Sequence, residues 1–241
     1  MTIKVVQWGS GNVGRASIAA VTVRSDLEIV GLLVNNPDKV GRDIGALAGF
    51  ADLGIAATDD VDEIMALDAD VVLHMSLPSL VYGDDPDADL DNFCRLLAGG
   101  KHVITTVGYM YPKVYGAEVM ERLSQGCAFG RFAFHGTGAN PGWFGDLLPL
   151  LMSGLSLRID QIGVQEISNF QYYPSPEIMF EMMNFARTPE EFTRCSERHR
   201  TWLDGLFTEA VQMVADGIDA RIDEVTSEME TWIANDDLDT A

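Results

Sequence analysis

Three glycines, Gly9, Gly11 and Gly14, follow the apolar run 3–8 at the spacing G-x-G-x-x-G, with Ser10, Asn12 and Val13 completing the turn. A peptide that must lie against a pyrophosphate needs this arrangement. The first glycine makes a tight turn out of a strand, the second leaves the backbone bare for close approach, and the third lets the next helix rest on the sheet. A helix expected over 12–24 would aim its unpaired N–H groups and positive dipole end at the phosphates. Glycines punctuate many loops, so the motif takes its meaning from context: a strand before it, a helix after it, and a second apolar strand over 28–34 that closes a βαβ unit.

The end of that second strand bears on which dinucleotide would fit. An acidic residue there holds the ribose 2′-OH of NAD, whereas a 2′-phosphate calls for small polar and cationic groups. This chain has Asn35 and Asn36 at the strand end, with Lys39 and Arg42 in the same loop, and Asp38 displaced beyond Pro37. NADP is therefore favoured, with NAD possible; for either cation alone the plainer reading is a solvated loop side chain.

Redox chemistry at a bound nicotinamide also needs a proton donor or acceptor beside the reacting atom. Tyr109 and Tyr111 stand in a loop after a strand and could donate a proton or simply pack against the glycine turn. His135 ends a later strand and titrates near neutrality, which suits acid–base work, although a satisfied strand-end histidine is the commoner case. His74 precedes the Ser76 turn, where it would contact the cofactor or lie buried in its strand. Thr106 and Asn140 are further cofactor candidates, Asn140 because Asn140-Pro141-Gly142 reads as the opening of a helix at the crevice. Asn169, Tyr172, Tyr173 and Phe180 belong to a stretch dense in aromatic and methionine side chains, either core or the wall of an apolar pocket.

The elements that would position these residues alternate. Helices are expected over 61–66, 89–98 and 113–124, and strands over 70–75, 102–106 and 129–135, which predicts a parallel, doubly wound sheet with its ligand crevice at the carboxyl ends of the strands. From about residue 156 the pattern changes to two long strands, 157–170 and 220–234, separated by helices over 176–186, 189–198 and 201–216. Thr188-Pro189-Glu190-Glu191 marks one helix start, with a Thr cap and a Glu three residues later. The fold class expected is thus α/β, with a Rossmann domain over 1–150 and an α+β mixed-sheet domain over 151–241. Two strands make a marginal sheet, so the second domain reads as C-terminally incomplete, or completed by a dimer partner.

Composition sets the outer bounds. A hydrophobic share of 47% can fill a core in 241 residues, and a net charge of −21 opposes nucleic acid and anionic membrane surfaces. No apolar run approaches the roughly 18 residues of a membrane span, and nothing resembles a signal peptide. A cytoplasmic location is expected. Cys94, Cys127 and Cys195 are odd in number and far apart, without metal-ligand spacing. Acidic clusters such as Asp84, Asp85, Asp87, Asp89 and Asp91 lack the glycine and terminal glutamate of a calcium loop, so no metal is expected.

With the glycine turn, the segment Thr105-Thr106-Val107-Gly108-Tyr109, and His135-Gly136-Thr137-Gly138-Ala139-Asn140-Pro141-Gly142 assembled, the chain resembles the dihydrodipicolinate reductase superfamily. It looks most like the branch of 2,4-diaminopentanoate dehydrogenase and the native amine dehydrogenases. The likeness runs through Ser168-Asn169-Phe170-Gln171-Tyr172-Tyr173 and covers essentially the whole chain. The resemblance implies hydride transfer between a nicotinamide and a carbon bearing nitrogen, a small-molecule substrate, and a homodimer. There are two departures. The histidine-rich segment with a lysine that reductases proper carry is missing around 162–171, which disfavours lysine biosynthesis. Amine dehydrogenases place a glutamate in the loop after the fifth strand, where this chain has Gly108 and Tyr109. A carbonyl reductase and a non-catalytic dinucleotide-binding protein are therefore kept as alternatives.

Overall fold

The computed structural model describes residues 2–170, 173–188, 191, 197–228, 230 and 232. Six strands, β1 (Ile3–Trp8), β2 (Leu27–Leu33), β3 (Ala57–Thr58), β4 (Val71–His74), β5 (His102–Thr105) and β6 (Phe134–Gly136), form one sheet in the order β3-β2-β1-β4-β5-β6. Every neighbouring pair is parallel. The chain winds outward from β1 to one edge through β2 and to the other through β4. That reversal opens a crevice beyond the carboxyl ends of the central strands.

Helices α1 (Asn12–Thr22), α2 (Ile44–Ala48), α3 (Val61–Ala66), α4 (Ser79–Tyr82), α5 (Ala88–Ala98), α6 (Ala117–Gly130), α7 (Leu147–Ser153) and α8 (Glu197–Gly217) follow in chain order. The sheet is covered on both faces because successive strand residues point oppositely. Val5 and Leu32 enter a cluster with Ile18, Val21 and Ile44, while Val6 and Leu33 enter another with Phe93, Leu96, Leu97 and Val103. Burial on both sides is why β1 reads as a nearly unbroken apolar run. Short elements that periodicity does not reveal are fixed by polar caps. The Asp43 carboxylate accepts backbone N–H groups from Gly45, Ala46, Leu53, Gly54 and Ile55, which folds 43–55 into one turn-rich loop around α2.

The expected helix over 113–124 and strand over 129–135 shift toward the C-terminus. Pro112–Tyr115 is a short 3-10 turn, Gly116 breaks the chain at φ 96°, and α6 then runs on through Phe129 to Gly130. Gly126 explains that extension: a Cβ there would lie 3.2 Å from the Leu97 Cβ, so the close packing of α6 on α5 overrides the weak helix propensity of 125–130. Strand β6 is left with three residues.

Beyond residue 150 the described residues form no strand: neither 157–170 nor 220–228 contains one, and most of the rest of the expected strand over 220–234 lies outside them. An alternating pattern specifies which face is apolar but supplies no neighbour, and a strand exists only where another backbone offers N–H and C=O partners. The helical expectations fare better. The helix over 201–216 appears as the longer α8, and Glu177–Met182 winds as a π-helix inside the expected 176–186. The helix over 189–198 falls largely outside the described residues, although the Thr188 and Glu191 side chains each accept the other's backbone N–H at 3.3 and 2.9 Å. Among the described residues no helix is long and apolar enough to cross a membrane.

Phe93 is the best test of this core. It is fully enclosed and meets His74, Phe134 and Tyr109 with ring centroids 4.9, 5.3 and 5.7 Å away. Phe93→Ala is expected to cost about 3–5 kcal/mol, read as a lowered urea midpoint with an unchanged slope.

Candidate dinucleotide-binding site

The three glycines are required for different reasons. A Cβ on Gly9, at φ 96°, would stand 2.6 Å from the Met75 carbonyl oxygen, and one on Gly14 would stand 2.1 Å from the Gly9 carbonyl oxygen. Both contacts are with backbone, so neither position admits a side chain. Gly11 is exposed, has an ordinary φ of −71°, and a Cβ there would meet nothing within 4 Å. Internal packing does not demand a glycine here, but a ligand lying against the bare backbone would. Helix α1 starts at this point with no side-chain cap and no acid in its first turn, so its positive end faces the same space unopposed. These are the donors and the room that a pyrophosphate needs.

Two further groups converge on the turn. The Lys39 Nζ donates to the Ser10 carbonyl at 3.3 Å and to its Oγ at 3.1 Å, which brings the loop after β2 against the glycines. Asn36 orders that loop by accepting the Asp38 N–H at 2.9 Å, while the side chains of Asn35 and Arg42 are exposed. In the loop after β4, the Ser76 Oγ is buried and has no hydrogen-bond partner among the described residues. A buried hydroxyl without a partner is costly, so a ligand atom there would relieve it. Val13 is half-exposed at the same mouth.

The C-terminal segment reaches this mouth through the motif itself. Asn12 donates its Nδ2 to the Pro174 carbonyl at 2.6 Å and accepts from Arg15 at 2.5 Å. The Tyr173 ring lies tilted against Phe170 at 5.3 Å, which in turn lies 5.9 Å from Phe185, so with Pro174 bonded to Asn12 part of the aromatic stretch sits beside the glycine turn. Asn169 and Tyr173 are exposed there and Phe180 is partly buried. Tyr172 lies outside the described residues.

The acid–base candidates sit differently from expectation. Tyr109 adopts φ 62°, and its ring packs into the core against Phe93, Tyr115 and Phe134, where burial pushes its phenol up to about 12. It is a weak acid with its ring in the core. Tyr111 donates its hydroxyl to Asp216 on α8 at 2.5 Å, and that bond raises its pKa. His135 is exposed on the edge strand β6. His74 departs from a cofactor-contacting role. Its ring has no exposure, lies between Trp8 and Phe93, and pairs with Thr105 at 3.1 Å and Asp89 at 3.4 Å, because β4 is central and covered on both faces. Thr106 remains partly exposed at the carboxyl end of β5, its N–H bonded to the His74 carbonyl. Asn140 does not open a helix: α7 begins at Leu147, capped by Asp146, whose other oxygen accepts the Gly142 N–H. Asn140 is instead bonded through its side chain to Glu166.

One residue that the sequence reading passes over is central here. Glu209 of α8 has no exposure, and its carboxylate accepts the Tyr109 N–H at 2.9 Å, the Tyr111 N–H at 2.5 Å and the Tyr115 hydroxyl at 2.6 Å. Its signal is in the sequence. A lone glutamate stands on the helix face defined by Leu206, Ala210 and Val214, all buried, and a carboxylate on an apolar stripe must have partners elsewhere. Burial raises its pKa above the ordinary carboxylate value, against the pull of the Tyr115 hydroxyl and the two N–H groups.

Fold and site together define a dinucleotide-binding protein of the Rossmann class. Residues 3–109 match the family described as dihydrodipicolinate reductase, N-terminus. An amine dehydrogenase of Streptomyces virginiae is 35% identical over 183 residues, covering 73% of this chain and 48% of that protein. A 4-hydroxy-tetrahydrodipicolinate reductase of Synechococcus elongatus is 30% identical over 125 residues, covering 51% and 45%. In three dimensions the chain superposes on an amine dehydrogenase structure from Mycobacterium smegmatis with TM-score 0.64 at 23% identity, covering 86% of this chain and 62% of that one, which is a likeness of fold. Together these likenesses, centred on the nucleotide-binding unit, support a dihydrodipicolinate reductase-like superfamily. The chain spans about half the length of the curated relatives it matches.

Two measurements check this geometry. Gly11→Ala is expected to leave stability within about 0.5 kcal/mol and to weaken dinucleotide binding by roughly tenfold or more, about 1.4 kcal/mol; Gly14→Ala should lower the melting temperature as well as binding. For Glu209, a folded-state pKa above the unfolded value means stability that is present at low pH and lost as pH rises through the folded value. The unfolding midpoint of the wild type should therefore fall relative to Glu209→Gln as pH climbs from about 4 toward neutrality.

Proposed function

We propose that the protein is an NAD(P)-dependent oxidoreductase that transfers hydride to or from a carbon bearing nitrogen, by imine reduction or amine dehydrogenation, in a small apolar substrate. The observation that carries this reading is the glycine turn, closed to side chains at Gly9 and Gly14 and open in front of Gly11. When bound, the nicotinamide supplies the hydride for imine reduction and accepts it in amine dehydrogenation. The chain's part is to hold it: the first turn of α1 for the pyrophosphate, Ser10 and Lys39 for the adenosine ribose, and Ser76 toward the other end. Lys39 at the turn, with Asn35 rather than a carboxylate at the end of β2, supports NADP over NAD. Similarity to the Streptomyces amine dehydrogenase over 183 residues supports the nitrogen chemistry. In this reading residues 1–150 carry the cofactor, and 151–241 supply substrate contacts and a homodimer interface.

A second reading, a dinucleotide-binding protein without turnover, is favoured by one observation. The Tyr111 hydroxyl is committed to Asp216, and the Tyr109 ring packs into the core, where burial makes its phenol a weak acid. Titration with NADPH and NADH, followed by assay with aldehydes and ketones with and without ammonia, and with cyclic imines, separates the two. NADPH is expected to bind the more tightly, with oxidation dependent on ammonia or on an imine. Lys39→Ala should weaken NADPH by roughly ten- to hundredfold, the scale of one charge-assisted contact, and leave NADH unchanged. Tight NADPH binding with no turnover across the panel would select the second reading.

A further inference from the structure

The loop after β5 is held in a conformation that its own residues do not favour. Gly108 has φ 119° and Tyr109 φ 62°, and left-handed backbone at a bulky aromatic residue is an outlier. The loop has little freedom to relax. A Cβ on Gly136 would stand 2.3 Å from the Tyr109 carbonyl oxygen, and one on Gly108 would stand 3.0 Å from a Leu206 methyl of α8. Something must keep it there. Two strong contacts come from one distant helix: Trp202 donates its indole N–H to the Val107 carbonyl at 3.0 Å, and Glu209 takes the Tyr109 and Tyr111 N–H groups. The same loop leads on from Thr106, at the carboxyl end of β5, beside the crevice.

The donors that Glu209 faces are all neutral: two backbone N–H groups and one phenol. Asp146 is an acidic neighbour. A buried carboxylate with no cation against it among the described residues is an expensive way to fasten a helix, since apolar contact alone would do that. Its two oxygens, however, bind the N–H groups on either side of Met110, those of Tyr109 and Tyr111, and thereby fix the left-handed step at Tyr109. Backbone strain kept at a ligand mouth by outside contacts is what pre-organisation looks like in a fold.

Resting on the oxidoreductase reading above, we infer that Glu209 is a positioning residue. From α8 it holds the loop 107–111 in its strained conformation at the crevice, so that this loop forms a fixed wall against which substrate and nicotinamide are aligned. It does not itself touch the reacting atoms. A wall displaced by about 1 Å costs roughly a hundredfold in rate, without a matching loss of cofactor binding, because the glycine turn is untouched.

The test compares wild type, Glu209→Ala, Glu209→Gln and Tyr115→Phe in the purified protein. Each is measured for NADPH affinity, kcat and KM with the best substrate of the panel, and backbone amide exchange. Gln offers one acceptor oxygen in place of two and should keep the fold if Ala does not. The inference expects Tyr109 and Tyr111 amides to exchange roughly tenfold faster or more in the Ala and Gln variants, with exchange in β5 unchanged. It also expects kcat to fall by roughly ten- to hundredfold with NADPH affinity within twofold of wild type. Tyr115→Phe, which removes one donor and keeps both N–H bonds, should resemble wild type. Wild-type kcat and loop exchange in Glu209→Gln would overturn the inference, and so would faster exchange through β5 as much as through the loop, which marks a structural role only. If the wild type turns over nothing, the oxidoreductase reading falls separately, and loop against β5 exchange still decides the role of Glu209.

Discussion

The close approach of β1 and α1 at the glycine turn is the constraint on which the rest depends. With the would-be Cβ of Gly14 only 2.1 Å from the Gly9 carbonyl, the helix sits directly on the strand end, and no other residue type permits that contact. Everything around the turn takes its position from this seating. The Met75 carbonyl closes over Gly9, Gln7 donates its side-chain N–H to the Gly9 carbonyl at 3.1 Å, and the loops after β2 and β4 arrive on either side with Lys39 and Ser76. The space in front of Gly11 remains because its neighbours are already fixed.

A second layer of organisation comes from α8. It crosses the loops after β4 and β5 with four contacts: Arg198 to the Gly83 carbonyl, the His199 ring against Tyr82, Trp202 to the Val107 carbonyl, and Glu209 to the tyrosine loop. At its far end Asp216 gathers Lys113, Tyr111 and Gln212, and those hydrogen bonds hold its pKa down at about 2. The helix thus does for the β5 side of the crevice what the glycines do for the β1 side. It turns a flexible connection into a wall of set geometry.

The extent to which this was legible in the sequence varied with the range of the interaction responsible. Strands β1, β2, β4 and β5 were readable because burial on both faces leaves an apolar run bounded by turn residues. The extension of α6 through Phe129 was not readable, because its cause is Gly126 resting against α5. The segment 157–170 has a strand's alternation and no ladder, because pattern gives a face but not a partner. Among candidate site residues, the glycines, Ser10, Asn12 and Lys39 were singled out by spacing. For His74 both readings stood open, since a histidine at a strand end looks alike whether it faces the crevice or the core, and its burial favours the core. Glu209 was overlooked because its partners are about a hundred residues away in sequence.

By itself, then, the sequence determined a parallel nucleotide-binding sheet and the cradle at its centre, since both follow from local rules: residue period and the bareness of glycine. Only the tertiary structure decided which side chains face the crevice. It turned Tyr109 into the core, bound Tyr111 to Asp216, enclosed His74, and brought Glu209 to the loop after β5. The physical reason is that side-chain direction at a loop is set by whatever packs against it, and here that is a helix from the other end of the chain.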